Sequence, residues 1–304
     1  MKPTETPPFP SLESSNEGVI SRLEALNGVG RVEDLEGGLV YLPVTDIEKW
    51  NDDFSQLKPL FAELVQSSYG DTTSADEEST LKQLGYSFKN ATGVYIQTSG
   101  HKIAGYFSVE LVDPKYSQMN GGAWAMGDLN VSQEFRGRNY ASILVRTAAQ
   151  HERKQYVIGE TVNPIAIAAI EKGAKEAGFR TIFGPSQEEL QNSEIAFMHQ
   201  ENMYGIERKG FLSPLTLEPG NDGFYLVDPA YLPPVEPGVL QFLNPEHPVY
   251  ARMQKLLELQ ERYKTKDGHV TATVVAHVFC IRDEGVSLRQ DPPVLLPKTS
   301  NKTA

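Results

Sequence analysis

Near the middle of the chain, an apolar strand end, a basic turn and a helix beginning follow one another as Val131-Ser132-Gln133-Glu134-Phe135-Arg136-Gly137-Arg138-Asn139-Tyr140-Ala141-Ser142-Ile143-Leu144. The first turn of a helix presents unpaired backbone N–H groups and the positive end of the helix dipole, and together these bind phosphate. Gly137, Asn139 and Ala141 allow the backbone to come close to such a ligand. Arg136 and Arg138 add positive charge in an acidic chain. This segment therefore predicts a phosphate-binding turn.

The elements on either side of this turn predict an alternation of strands and helices. We predict strands at Leu39–Val44, Gly93–Gln97, Ile103–Val112, Ala123–Val131, Tyr156–Thr161, Phe179–Phe183, Leu212–Leu217, Phe224–Val227 and His269–Ile281. We predict helices behind Asp46, with an apolar stripe of Trp50, Phe54, Leu57, Phe61 and Leu64, and at Ala75–Leu84, Asn139–Lys154, Pro164–Ala177, Ser193–Lys209 and Pro248–Tyr263.

Composition narrows the class of protein. The formal net charge of -12 argues against a nucleic-acid or anionic-membrane surface, because clustered Lys and Arg drive such binding. The single cysteine, Cys280, excludes an intrachain disulfide and a multi-cysteine zinc site, and its apolar surroundings indicate a buried structural thiol. The histidines show no metal-ligand spacing, so we expect no metal site. No signal peptide or membrane span is evident, which leads us to expect a cytoplasmic location.

The segment 131–144 resembles the pyrophosphate-binding signature of the GNAT acyltransferase superfamily, Arg/Gln-x-x-Gly-x-Gly/Ala between a strand and a helix. Arg136 takes the first place and Ala141 the last, whereas Asn139 replaces the middle glycine. Asn is the side chain that best tolerates a positive φ, so the turn can keep its shape. The resemblance extends over about residues 39–217. It implies an α/β (α+β) fold with a central mixed, mostly antiparallel sheet flanked by helices, here with a C-terminal extension.

A second stretch carries the resemblance further along the chain. Glu160-Thr161-Val162-Asn163 precedes a helix that Gly178-Phe179 closes, as in the family, where an Asn-led helix follows a strand. Family members carry a tyrosine near the last turns of that helix as general acid. Ile170 and Ala174 stand at the corresponding places here, so we consider Tyr204 as a substitute.

The resemblance implies direct transfer of an acyl group from acetyl-coenzyme A, the co-substrate, to an amine. The strand before the turn parts from its neighbour, and the pantetheine arm inserts there. The implied coenzyme A-binding residues are therefore Leu129, Asn130, Val131, Arg136, Gly137, Arg138, Asn139, Tyr140, Ala141, Ser142 and Asn163. A backbone N–H on the parted strand would stabilise the oxyanion.

Three residues are candidates for the proton transfers that the chemistry requires. Glu160 is the first choice for the base, since it ends the strand beside the parting, although it also fits an ordinary solvated glutamate. Asp128 is the second, with a locally bonded strand-edge carboxylate as the alternative. Tyr204 is the candidate acid, and a half-buried core tyrosine is its alternative.

We predict a loosely ordered segment at 1–37, the acyl-coenzyme A-binding domain at 38–228, a C-terminal extension at 229–291 and a frayed tail at 292–304. The acceptor is expected to be a small-molecule amine or a protein amine, and a homo-oligomer is possible. Two other hypotheses stay open. One is a non-catalytic coenzyme A-binding module. The other is an assembly role in which the apolar strand Val270–Ile281 pairs with the edge of another subunit.

Overall fold

A nine-stranded sheet organises the chain in a computed structural model. The structure describes residues 16–31, 37–43, 57, 59–65, 67, 91–100, 102–110, 123–161, 163–208, 224–229, 232, 234, 237–247 and 249–283. The strands are β1 Gly28–Arg31, β2 Gly38–Pro43, β3 Ala91–Ser99, β4 Lys102–Glu110, β5 Ala123–Val131, β6 Tyr156–Thr161, β7 Phe179–Phe183, β8 Phe224–Val227 and β9 Thr273–Arg282. The helices are α1 Asn16–Asn27, α2 (residues 59–65), α3 Tyr140–Glu152, α4 Pro164–Glu176, α5 Ser193–Arg208 and α6 Tyr250–Glu261.

The strand order is β1-β2-β3-β4-β5-β6-β9-β7, with β8 also paired to β9. Every neighbouring pair is antiparallel except β5 and β6, which run parallel and are joined through α3. The predicted fold class, a mixed but mostly antiparallel sheet flanked by helices, is confirmed.

Helices cover both faces of this sheet. On the face that we call the first face, α3, α4 and α6 pack over strand residues such as Phe107, Val157 and Val278. The opposite face, which we call the second face, is divided between two groups of helices. There α1 and α2 cover β2, β3 and β4 around Tyr106, and α5 covers β6, β7 and β9 around Ile158. Side chains alternate along a strand, so Tyr106 and Phe107 lie on opposite faces.

The strand β9 lies inside the sheet. Its residues pair with β6 on one side and with β7 and β8 on the other, and all ten are buried. β-Branched residues such as Val274 and Val275 suit this fully buried position. The expectation that Val270–Ile281 could offer an edge to another subunit is therefore wrong for β9. The predicted boundary at residue 229 stays a prediction, but this strand of the predicted extension belongs to the central sheet.

Residues 16–31 of the N-terminal segment form regular elements, including a helix where Val19–Leu26 predicted a short one. Within residues 1–37, which we predicted to be loosely ordered, the structure has α1 and the edge strand β1. Val19, Ile20 and Leu23 form the buried side of α1 and pack into the same core cluster as α2. Burial of these apolar side chains stabilises the short helix.

Most of the other predicted elements are present within one to three residues of their predicted bounds. The predicted helix behind Asp46 is described at 59–65, where Phe61 and Leu64 are buried as the apolar stripe requires. Asp46 itself and the predicted elements Ala75–Leu84 and Leu212–Leu217 lie outside the described residues. In the part of the chain that the structure describes, no helix is long and apolar enough to cross a membrane.

Cys280 is almost completely buried in β9, as expected for a structural thiol. Burial raises the pKa of this thiol to about 12, although its contact with the Thr181 hydroxyl acts in the opposite direction. A thiol with this pKa is protonated at neutral pH and is not a nucleophile.

Arg282, the last residue of β9, ties the ends of two helices to the sheet. Its guanidinium donates to the carbonyl oxygens of Ala149 (3.1 Å), Lys154 (3.3 Å) and Ala177 (3.3 Å). We expect Arg282→Ala to lower the free energy of unfolding by about 2–3 kcal/mol, because it leaves buried carbonyl groups unpaired. Urea denaturation measures this change.

The matched control is Arg180→Ala, which removes an exposed arginine from the neighbouring strand β7. We expect its effect to stay within about 0.5 kcal/mol. Equal losses in the two variants would contradict the assigned role of Arg282.

Candidate functional site

The turn between β5 and α3 uses two left-handed residues. A short 3₁₀ helix, Gln133–Phe135, follows β5, and Gly137 and Asn139 then have φ angles of +79° and +61°. Asn139 thus adopts the positive φ for which the sequence singled it out, and it stands immediately before α3. A Cβ atom built on Gly137 would meet nothing within 4 Å. The backbone of the turn is therefore open to an approaching ligand.

Buried side chains hold the first turn of α3 against the rest of the protein. Tyr140 is buried and packs against Phe135 at a ring-centroid distance of 6.0 Å, and Ser142 is also buried. The carbonyl of Asn139 accepts from the N–H of Ile143 (3.0 Å), which begins the helical hydrogen-bond pattern. The N–H groups before Ile143 have no carbonyl one turn earlier to bind within the helix, which is the arrangement that holds a phosphate.

Three cationic side chains surround this turn. Arg136 and Arg138 are exposed, and the Arg138 guanidinium lies 5.4 Å from the centre of the Phe135 ring. From α4, the ammonium group of Lys172 donates to the side-chain oxygen of Asn139 at 3.0 Å. Lys172 was not predicted from the sequence. The signal that could have found it is Gly173, since glycine in the middle of a helix often marks close packing.

Gly173 permits that close packing. A Cβ atom on Gly173 would lie 2.4 Å from the carbonyl oxygen of Ser142 and 3.1 Å from the backbone nitrogen of Arg146. Any larger residue would push α4 away from the beginning of α3. This contact is what brings Lys172 to the turn.

The ladder between β5 and β6 ends beside the turn. Among the described residues, the two strands pair at Ala123–Ala125 and Tyr156–Ile158 only. Beyond that point β5 continues to Val131 and β6 to Thr161 without further ladder pairs between them. We call the region between the two strands beyond the last ladder pair the slot. Its two walls are residues 126–131 of β5 and 159–161 of β6.

The β5 wall of the slot, which we call the outer wall, contains the three strand residues that the resemblance singled out. The β6 wall is the inner wall. Leu129, Asn130 and Val131 pair through β4 with Phe107, Tyr106 and Gly105. Along an antiparallel strand, backbone groups alternate between the two sides, so the other set of N–H and C=O groups points into the slot.

The register between β4 and β5 shifts at the middle of the slot. Phe107 pairs with Leu129 but Val109 pairs with Met126, so β5 has an extra residue there. The N–H of Asp128 donates to the Ser108 hydroxyl at 2.8 Å. Bulges of this kind redirect backbone groups and are common beside active sites.

Asp128 is half-buried and belongs to a hydrogen-bonded group that includes Tyr106. The Tyr106 hydroxyl donates to a carboxylate oxygen of Asp128 over 3.4 Å and accepts from the Asn130 amide at 3.0 Å. The side chain of Asp128 thus has a local partner, in line with the alternative that the sequence left open. It lies at the border of the slot as well.

Glu160 lies in β6 on the inner wall of the slot, where its Cα pairs with that of His277 in β9. His277 is completely buried, and its Nδ1 accepts from the Asn202 amide at 2.7 Å. Its Nε2 has no hydrogen-bond partner among the described residues. Burial, followed by the nearby His199, holds the pKa of His277 well below its ordinary value. His277 is therefore neutral at pH 7.

A second histidine belongs to this cluster. The ring of His199 in α5 lies 4.5 Å from that of His277, edge to face, and burial lowers the pKa of His199 also. Tyr225 stacks on His277 at 4.3 Å. The sequence analysis missed this cluster, because its members come from three separate elements and show no common spacing.

The remaining residues that the sequence singled out lie in the helices α4 and α5 or just before them. Asn163 caps α4 by accepting from the N–H of Ile165 at 2.9 Å. Tyr204 lies in α5, on the second face. Ile170 and Ala174, where the family places its tyrosine, are buried in the core between α4 and the first face. In this chain, the two positions that correspond to that tyrosine therefore face the core.

Comparison with known proteins supports the resemblance. Residues 57–175 match the model of the acetyltransferase (GNAT) family, a range that runs from α2 through the slot and the turn to α4. The resemblance inferred from the turn is thereby confirmed for this part of the chain. None of the curated proteins matches the sequence.

Several solved structures are similar at low identity. A GNAT family acetyltransferase from Brucella melitensis in complex with acetyl-CoA has 10% identity and a TM-score of 0.27, over 34% of this chain and 69% of that one. A GNAT family N-acetyltransferase from Escherichia coli in complex with CoA has 15% identity and a TM-score of 0.32, over 50% and 72%. An aminoglycoside 6'-acetyltransferase type Ii has 11% identity and a TM-score of 0.34, over 49% and 88%.

Proposed function

We propose that this chain, whose residues 57–175 match the model of the acetyltransferase (GNAT) family, transfers an acetyl group from acetyl-coenzyme A directly to an amine. The observation that carries the proposal is the slot between β5 and β6 next to a helix N-terminus with an open, left-handed turn. The residues fit coenzyme A. The turn suits its diphosphate, and the backbone of 126–131 suits its amide-containing arm.

The chemistry needs few groups from the protein. The amine nitrogen bonds to the thioester carbonyl carbon, the carbon–sulfur bond breaks, and the amine gives up a proton while the leaving thiolate takes one. Glu160 is the proposed base, and Asp128 is the second candidate. A backbone N–H at the bulge in β5 is the proposed donor to the oxyanion, because a rigid strand holds it in place. Tyr204 is the proposed acid.

The acceptor reaches the slot from the second face in this proposal. The helices α3 and α4 cover the first face, whereas on the second face the slot lies between the region of α2 and that of α5. The half-buried carboxylate of Asp128 favours a cationic acceptor on this side. A cavity of about 480 Å³ lies beside α2 near the turn, lined by Glu63, Ser67 and Ser132 among others.

The experiment that tests the function is release of free thiol from acetyl-coenzyme A with a panel of amines, together with mass spectrometry of the products. The panel contains small amines, amino acids, aminoglycosides and peptides with lysine or a free N-terminus. Acetylation of at least one amine supports the proposal. Tight binding of coenzyme A without turnover on any amine would instead favour a non-catalytic binding module, for which the buried Ile170 and Ala174 are the specific observation.

Arg136 provides a direct test of the turn. We expect Arg136→Ala to weaken coenzyme A binding about fivefold, since one charge-assisted contact to the diphosphate is lost. Isothermal titration at low and high salt measures the affinity for coenzyme A. The difference in affinity between the wild type and Arg136→Ala should shrink at high salt, because salt screens the charge.

Lys175→Ala is the matched control for Arg136→Ala, because Lys175 is an exposed cation three residues beyond Lys172 in α4. Its affinity for coenzyme A is expected to equal that of the wild type. An Arg136→Ala protein with unchanged affinity would count against the phosphate site.

A further inference from the structure

The slot has a closed end. The turn that suits the diphosphate follows Val131, and β5 and β6 meet at Ala125 and Ile158. An acyl-coenzyme A that lies in the slot therefore runs from Val131 towards Ala125, with its thioester near the closed end. From residue 131 to 126 a strand extends about 17 Å. What stands at the closed end decides how much space the acyl chain has.

Met126 and Gly159 are the first residues beyond the last ladder pair, one on each wall. A Cβ atom built on Gly159 would lie 2.3 Å from the methyl carbon Cε of Met126 and 3.1 Å from its Cβ. The two strands are thus still close together at this point, and the Met126 side chain lies against the backbone of Gly159. It has room there only because residue 159 has no side chain.

The direction of Met126 is fixed by its contacts. It is half-buried and packs against the core of the first face, which contains Leu144 of α3 and Ile167 of α4. On this side it separates the closed end of the slot from the core. Towards Ala125 the ladder pairs leave no gap between the strands.

We propose that Met126 limits the length of the acyl chain and makes this chain selective for short acyl groups, acetyl and propionyl. The inference rests on the proposed function. A longer chain has to displace the methionine side chain, which already fills the space above Gly159. Methionine is flexible, so this is a graded restriction and not an absolute one.

Isothermal titration with coenzyme A and with its acetyl, propionyl, butyryl and hexanoyl thioesters tests this without any acceptor. For the wild type we expect hexanoyl-coenzyme A to bind about tenfold more weakly than acetyl-coenzyme A. Met126→Ala should remove this difference between the two thioesters. The matched control Met126→Leu keeps the side-chain volume and should retain the wild-type preference.

A complementary variant changes the opposite wall. Gly159→Ala forces the end of the Met126 side chain away from β6, and we expect it to weaken acetyl-coenzyme A binding relative to free coenzyme A by about fivefold. In the double variant, Gly159→Ala with Met126→Ala, the contact with Met126 Cε is gone and only the Cβ contact of 3.1 Å remains, so we expect acetyl-coenzyme A binding to recover at least in part.

The outcomes separate this inference from the function on which it rests. If the wild type does not bind coenzyme A, the proposed function is wrong. If it binds coenzyme A and the affinities do not depend on chain length, or depend on it equally in wild type and Met126→Ala, the inference is wrong and the function stands. Circular dichroism and the urea midpoint, compared with those of the wild type, show whether Met126→Ala is folded.

Discussion

Replacing Glu160 with glutamine is expected to lower turnover by about 100-fold or more while leaving the affinity for coenzyme A within about twofold. The amide has nearly the shape of the carboxylate but does not accept a proton from the attacking amine. Because coenzyme A is proposed to bind at the turn and along β5, on the opposite wall, its binding should not change. Thiol release at saturating acetyl-coenzyme A, with the best amine of the panel, measures turnover.

The pH dependence of the rate distinguishes a base from a structural residue. A base is active when deprotonated, so the wild-type rate should rise with pH through the pKa of that group and then level off. In Glu160→Gln this rise should disappear. A variant that only distorted the slot would lower the rate at every pH and keep the rise.

Asp128→Asn is the comparison for Glu160→Gln. Asp128 accepts from the Tyr106 hydroxyl, so an amide at this position can keep the contact, and we expect a loss of about tenfold or less. The opposite order, a large loss in Asp128→Asn and a small one in Glu160→Gln, would move the role of base to Asp128.

The second large effect is expected at Asn139. Its φ of +61° is unfavourable for a β-branched residue, and Asn139→Val adds strain of about 2 kcal/mol to the turn. The free protein relieves this strain by leaving the left-handed conformation, and ligand binding has to restore it. We expect coenzyme A affinity to fall about 30-fold, since 1.4 kcal/mol corresponds to tenfold. Isothermal titration measures the change.

Asn139→Gly tests whether conformation or side chain matters. Glycine adopts a positive φ freely and also restores the glycine that the family signature has in this place. Its affinity is expected to stay within about threefold of the wild type. A loss as large as that in Asn139→Val would show that the Asn139 amide, through its contact with Lys172, is what the ligand requires.

Much of this site follows from local sequence. Turn conformation is decided by a few neighbouring residues, so Gly137 and Asn139 could be recognised as left-handed positions. The strand before the turn and the helices after it show clear periodicity. The resemblance to the family could therefore be inferred from about 50 consecutive residues.

Other features depend on contacts between distant segments and were not predictable. The apolar run of β9 indicates a buried strand, but nothing in its sequence says that β6 and β7 are its neighbours. The contact of Lys172 with the turn needs two helices to pack at Gly173. The reach of Met126 over Gly159 is visible only once the two strands are placed side by side.

The central position of β9 has a consequence for how the protein acquires its slot during synthesis. As the polypeptide leaves the ribosome, the turn and both walls emerge well before β9, so β6 has at first no neighbour on the side opposite β5. Contacts between such distant segments form slowly, because a long loop has to close first. A nascent chain stalled before Thr273 therefore has every residue of the slot and lacks the strand that holds its inner wall in place.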